Sequence, residues 1–386
     1  MMKSLSSAGA MRGALVLGLA LLTGCSWFSG SDKRYEPAPL TKFVPEVSTN
    51  VAWSVRVGSK AGVGFAPVVV GEAVYAAASD GSVAKIDLAK GQVLWRVDAA
   101  RRLQAGVGSD GNTTAVVTPN GEIIALDDKG AEKWRAQASS EVLIPPAVGD
   151  GLVVVRSGDY RVQAFDAQTG ERRWSVQRPG PALALRAVNQ MVIAGGFVFT
   201  GLPGGKVMAI DTQSGAPQWE GTVAIPRGAS ELERVADVVG RPVISGPLLC
   251  AVAFQGRLAC FDIQGGGDIA WARDFSGASG MTADISSAFA ADANGVMYGF
   301  LLSGGANIWK QDALRNRKLS APASIDGLVA VGDYDGYVHF LDRSDGRLMA
   351  RVATDGDAIL APLETTPHGV VVQGSSGSVR LLSIGG

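Results

Sequence analysis

The chain has 386 residues, with 35 basic against 36 acidic side chains and a net charge of −1. It lacks the basic surplus that replaces counterions on a phosphate backbone, so no nucleic-acid partner is expected. Hydrophobic residues make up 47%, charged residues 18%, and Gly occurs 51 times, about twice the ~7% of average usage. That balance excludes a disordered chain and suits many short strands joined by glycine turns.

Chain order begins with basic Lys3 and Arg12, the apolar run Ala14 to Leu22, and then Leu22-Thr23-Gly24-Cys25. A bilayer span takes ~20 apolar residues, so this run reads as a secretory signal, residues 1–24, and not as a membrane anchor. The tetrapeptide resembles the bacterial lipobox, which implies cleavage before Cys25 and acylation of its sulfur, with palmitate among the acyl chains. More than one chain gives stable anchoring. Ser26 follows Cys25 where an Asp would imply inner-membrane retention, so the resemblance implies the outer membrane. Residues 25–45, rich in Ser, Gly, Pro and mixed charge with no apolar period, read as a lipidated flexible tether.

From residue 46 to 386 one unit recurs: a turn residue, alternating apolar positions, an Asp, a glycine turn, and a Trp on the next strand. Ala164 to Trp174, AFDAQTGERRW, contains its core. Eight copies start at Gly81, Gly121, Tyr160, Gly205, Gly256, Gly295, Gly336 and Gly377, most of them 39 to 41 residues apart. The Asp recurs at Asp87, Asp127, Asp166, Asp211, Asp262 and Asp342, where a carboxylate can accept N–H bonds within the turn. Two further strand-like runs precede each copy, as in Ile144 to Ser157. The period is therefore a four-stranded antiparallel blade, and the fold expected is an all-β, eight-bladed β-propeller.

Seven tryptophans belong to this pattern: Trp53, Trp95, Trp134, Trp174, Trp219, Trp271 and Trp309. Trp53 has no complete motif before it, and the copy at Gly377 ends without a Trp strand. The N-terminal strand around Trp53 is expected to complete the eighth blade and close the ring. Two cysteines, Cys250 and Cys260, flank a turn at Gln255-Gly256. A three-residue loop would face them across two strands, and a two-residue loop would point them to opposite faces. Buried thiols and a disulfide both stand open.

The motif AxDxxTGxxxW resembles the tryptophan-docking repeat of the pyrroloquinoline-quinone (PQQ) dehydrogenase propellers, which speaks for fold and not for activity. Lipobox, tether and eight such repeats together resemble the BamB family, lipoproteins of the outer-membrane β-barrel assembly (BAM) complex. The likeness covers essentially the whole chain and is most specific in two loops. These are Pro181 to Arg186, PALALR, and Pro226 to Val238, PRGASELERVADV. The loops also stand out by spacing, since the Trp-to-Trp interval lengthens after Trp174 and again after Trp219. Both join the outer strand of one blade to the inner strand of the next, so they share a rim on neighbouring blades. Long loops on a rigid scaffold are where binding residues concentrate.

Leu183, Leu185 and Arg186 have the chemistry of a small interface anchor, and Glu231, Glu233, Arg234 and Asp237 that of a charged counterpart. The competing reading tucks the leucines into the ring or an added edge strand and leaves the charges as a solvated rim. The resemblance implies that these loops contact the POTRA domains of BamA, the barrel-inserting subunit. Val239 departs from the family, which has an acidic residue there. Nascent outer-membrane proteins are a further partner it implies.

No cofactor is expected. A PQQ dehydrogenase needs calcium with ~6 to 8 converging oxygens, and no loop of the DxDxDG kind supplies them. The chain has no vicinal cysteines and only two histidines, His339 in a strand and His368 in a turn, too few for a zinc triad. Set beside these absences, the resemblance implies a non-enzymatic periplasmic scaffold. A ligand-binding propeller is the runner-up, and a quinone-dependent dehydrogenase the more remote alternative.

Overall fold

A computed structural model describes residues 35–181, 183–185 and 189–385. Cys25, Trp27 and Arg186 lie outside the described residues. The described residues form thirty-two strands in eight four-stranded antiparallel sheets, the eight-bladed ring expected from the repeat. Seven blades are continuous in sequence, spanning 68–98, 105–137, 147–177, 192–222, 238–275, 277–311 and 323–353. Within each, the strands run from A at the central channel to D at the periphery. In blade 3 these are Ala147–Gly149, Leu152–Arg156, Arg161–Asp166 and Arg172–Gln177. Hence A–B and C–D turns share one rim, and B–C turns and D–A connections share the other.

The middle strands are sandwiched between neighbouring blades, so both of their faces are dry. Val153, Val154 and Val155 are all fully buried, which explains a continuous apolar run where a one-sided sheet would alternate. Successive side chains then serve successive seams. Val154 and Ala164 pack with Met208, Ile210 and Trp174 between blades 3 and 4, and Val153 and Phe165 pack with Trp134 between blades 2 and 3.

Each motif tryptophan locks its blade to the next. Trp134 Nε1 donates to the Ala167 carbonyl at 3.1 Å, and Trp174 Nε1 to that of Thr212 at 2.8 Å. Trp53, Trp95, Trp219, Trp271 and Trp309 do the same to Leu88, Asp128, Gly267, Leu302 and Arg343. Every acceptor lies in the C–D turn of the following blade. The indole also occupies the space above the turn glycine: a Cβ on Gly170 would sit 2.7 Å from Trp134 Cδ2, at a φ of +75°. Glycine is thus required twice, for the left-handed turn and for the neighbour's ring. The aspartate closes the same turn. Asp166 Oδ1 accepts from the N–H groups of Gln168 and Thr169 at 2.8 and 2.9 Å, which hold its carboxyl below the usual range.

The ring closes as expected. Strand Ser48–Arg56 pairs antiparallel with Ser378–Gly385, Trp53 opposite Leu381, and supplies the outer strand of blade 8. Strands C and D of that blade come from opposite ends of the chain, so no repeat turn waits there for a tryptophan. Accordingly Ala350, opposite Phe340, stands on blade 7 where Trp174 stands opposite Ala164 on blade 3. Residues 36–47, assigned by the sequence mostly to the tether, instead lie along blade 7. Glu46 N donates to Met349 O at 2.9 Å, and Val47 packs against the seam of Met349, Val352 and Leu382.

Cys250 and Cys260 form a disulfide across strands B and C of blade 5, with Cα atoms 4.0 Å apart. The register that pairs them also pairs Val252 with Leu258, which is the three-residue loop geometry, and Gln255 takes a φ of +48°. His339, fully buried in blade 7, has its Nε2 2.9 Å from Asp333 Oδ2 and accepts from Arg351 Nε at Nδ1, 3.2 Å away. That arrangement suits a neutral ring. Burial lowers its pKa, with Arg351 and Arg317 adding to the effect and Asp333 opposing it. His368 sits in the last A–B turn, so both histidines have the ordinary positions the sequence gives them.

The central channel is lined by the A strands. Those of blades 5 and 6 are long and bulged, and they pack backbone to backbone at Gly240 and Gly280. Arg241, thrown inward by the bulge, reaches Glu364 of blade 8 at 3.3 Å. A cavity of about 340 Å³ remains beside this pair.

Candidate functional site

The two irregular loops, residues 178–191 and 223–237, follow blades 3 and 4 on the D–A rim. Asp237 joins them. Its Oδ2 accepts from Leu185 N at 2.5 Å, and its Oδ1 accepts from Gly204 N, in the B–C turn of blade 4, at 2.9 Å. Its own carbonyl accepts from Phe254 N in blade 5 at 2.8 Å. With only 4% of its surface exposed, Asp237 presents no charge to a partner and acts on the first loop's shape. Sequence reasoning grouped it with the charged counterpart; burial separates it from Glu231 and Arg234. Val239, next in register, is buried beside the Cys250–Cys260 bridge.

Leu183 and Leu185 neither tuck into the ring nor build an added strand. They are 44% and 39% exposed, and they border a cavity of about 320 Å³ together with Leu143, Ile144, Arg156 and Tyr160. Arg156 donates to the Gly201 carbonyl at 2.5 Å. Burial pushes its guanidinium down to about 10, against the pull of Asp237 and Tyr160, so it remains a cation at neutral pH. Four of these six residues come from other loops and strands; Leu143, Ile144 and Arg156 fit the repeat and carry no signal, whereas Tyr160 stands where the other seven copies begin with Gly.

The second loop makes a single helical turn. Ser230 Oγ accepts from Glu233 N at 3.3 Å, while Glu233 Oε2 accepts from Ala229 N and Ser230 N at 2.8 and 3.1 Å. This is a capping box, and the N–H groups of Ser230 and Ala229 lower the Glu233 pKa. Arg234 pairs with Glu231 and donates to the carbonyls of Gly228 and Ala229. The loop leaves Leu232 and Ile225 exposed, two apolar residues among its charged ones. The rim therefore offers apolar side chains on a hydrogen-bonded backbone, flanked by the exposed Arg234–Glu231 pair. Among the described residues no group of three His, Cys, Asp or Glu side chains is placed to hold a metal ion.

Comparison with known proteins gives the relationship. The family model described as "Outer membrane protein assembly factor BamB" matches residues 47–98 and 79–311. A protein of that name from Bordetella pertussis is 58% identical over 383 residues, 99% of both chains. The crystal structure of BamB from Moraxella catarrhalis superposes with a TM-score of 0.79 at 25% identity, covering 87% of this chain and all of that one. The quinohemoprotein alcohol dehydrogenase of Comamonas testosteroni shares the propeller at a TM-score of 0.66 and 15% identity, covering 87% of this chain and 76% of its own, a likeness of fold alone. The enzyme reading gives way to that of a non-enzymatic assembly factor, and the chain belongs to the BamB family of outer membrane protein assembly factors.

Proposed function

We propose that this chain is a lipid-anchored periplasmic scaffold of the BAM complex. It docks its D–A rim onto the POTRA domains of BamA through Leu183, Leu185 and Arg186, with Glu231 and Arg234 as the charged flank. The observation that carries this reading is a pair of exposed leucines on a backbone held by Asp237, beside an open cavity. Side chains presented in a fixed geometry lose little entropy on binding, and apolar anchors near the centre of an interface dominate its energy. Acylated Cys25 holds the scaffold at the outer membrane, facing the periplasm. Outside blade 7, whose edge residues 36–47 cover, the peripheral D strands leave edges to which a nascent barrel strand can add.

The test is co-purification of the full chain with the BamA periplasmic region, comparing wild type with the triple variant Leu183→Ala, Leu185→Ala, Arg186→Ala. Binding is lost while the fold survives. Undiminished binding by the triple variant removes the assignment of the site.

A further inference from the structure

Residues 36–47 form a strap across the outer edge of blade 7. At its start, Ala38 N donates to Arg315 O at 2.9 Å, Asn316 Nδ2 donates to Glu36 O at 3.0 Å, and Arg317 donates to Ala38 O at 3.1 Å. Midway, Arg351 donates to Thr41 O at 3.1 Å and lies over the Phe43 ring at 5.1 Å. At its end, Arg347 pairs with Glu46 at 2.6 Å. Arg315 to Arg317 belong to a D–A connection, and Arg347 ends a C–D turn. The strap therefore climbs from one rim to the other, and its start at Glu36 and Ala38 stands on the D–A rim, which also carries Leu183, Leu185 and the second loop.

Ten peptide steps separate Cys25 from Tyr35. At ~3.6 Å each they reach at most ~36 Å. A linker running free to Val47 would have 22 steps and reach ~80 Å, enough to present either rim to the membrane. A six-residue outer strand alone is ~20 Å tall, so crossing the disc would consume most of the shorter reach.

Charge makes a second, independent difference between the rims. All six motif aspartates lie on the A–B/C–D rim, and the turns hold Asp127, Asp166, Asp211 and Asp342 below the usual carboxylate range. The A–B turns add Asp110, Asp150 and Asp326; Arg343 and Arg347 on this rim pair with Asp284 and Asp345, and exposed Lys90, Lys129 and Arg172 are outnumbered by its acids. Exposed Lys60, Arg101, Arg102, Arg227 and Lys318 stand on the D–A rim, interspersed with acids.

We infer that the strap turns the D–A rim toward the phospholipid surface, so that a partner docked on this rim is held against the membrane. The acidic rim faces away, where anionic headgroups do not repel it. This inference rests on acylation of Cys25. The full lipidated chain is reconstituted in phosphatidylethanolamine–phosphatidylglycerol vesicles containing an acceptor dye, with a donor on Leu360→Cys (D–A rim) or Ile285→Cys (opposite rim, 96% exposed). Energy transfer from position 360 is expected to exceed that from 285 at least twofold. Twenty Gly/Ser residues inserted after Ser31 are expected to erase the difference. Equal transfer from the two positions, or greater transfer from 285, overturns the orientation. Vesicle association that survives Cys25→Ala removes the anchor reading instead, a separate outcome.

Discussion

Replacing Asp237 by Asn isolates the role of one carboxylate. It holds Leu185 N at 2.5 Å and Gly204 N at 2.9 Å on its two oxygens. An amide of the same shape offers one acceptor oxygen and turns its NH₂ toward the other donor, so at least one bond is lost. A hydrogen bond to a charged acceptor contributes about 1.5–3 kcal/mol, and 1.4 kcal/mol is a factor of ten. Amide hydrogen exchange at Leu185 or Gly204 should therefore accelerate about ten- to a hundredfold in Asp237→Asn. The tryptophan-locked seams lie elsewhere, so core amides such as Val154 should keep their protection. BamA affinity should also fall, although Asp237 is buried too deeply to touch a partner. Arg234→Ala offers the contrast, weakening the flank with Leu185 exchange unchanged. Wild-type exchange at both Leu185 and Gly204 in Asp237→Asn would refute the account of how the site is shaped.

Other seams and bridges give further tests. Gly170→Ala forces a left-handed alanine against the Trp134 ring and should cost about 2 kcal/mol or more in chemical denaturation; a neutral result would show that the turn and indole separate freely. Removing the disulfide with Cys250→Ala, Cys260→Ala opens a ten-residue loop, and the chain-entropy relation puts the loss at about 2.7 kcal/mol, read as a lower denaturant midpoint that reducing agent no longer shifts. Burial keeps His339 neutral in the native state, so below its unfolded pKa of ~6.5 the unfolded chain binds a proton that the native chain refuses. Stability should thus decline as pH falls from 7 to 5, and His339→Gln should flatten that slope; an unchanged slope would locate the titration elsewhere. Against burial, hydrogen bonds from Arg380 and Ser376 bring the Asp355 pKa to about 2, so its stabilisation is present above ~3.9 and lost toward pH 2. The acid limb should be shallower in Asp355→Asn.

The ring was legible because every blade solves the same local problem. Asp166 closes its turn with N–H groups two and three residues away, and Gly170 supplies the positive φ, so both act within the window of one motif. Trp134 acts one period downstream, and repetition exposes that distance in the sequence. Even ring closure followed, since Trp53 and the copy at Gly377 each lack what the other supplies. Tertiary structure decided the rest, where neither periodicity nor nearby sequence records the partner. Asp237 reads as one more surface charge until Leu185, 52 residues earlier, is seen at its oxygen. Residues 36–47 lack an apolar period and read as tether, yet Arg317 and Arg351 hold their carbonyls from about 280 and 310 residues away. Hydrogen bonds to backbone carbonyls need no particular side chain on the accepting segment, and the side chains that do engage, Phe43, Glu46 and Val47, follow no strand or helix period, so only the folded ring brings their partners to the strap.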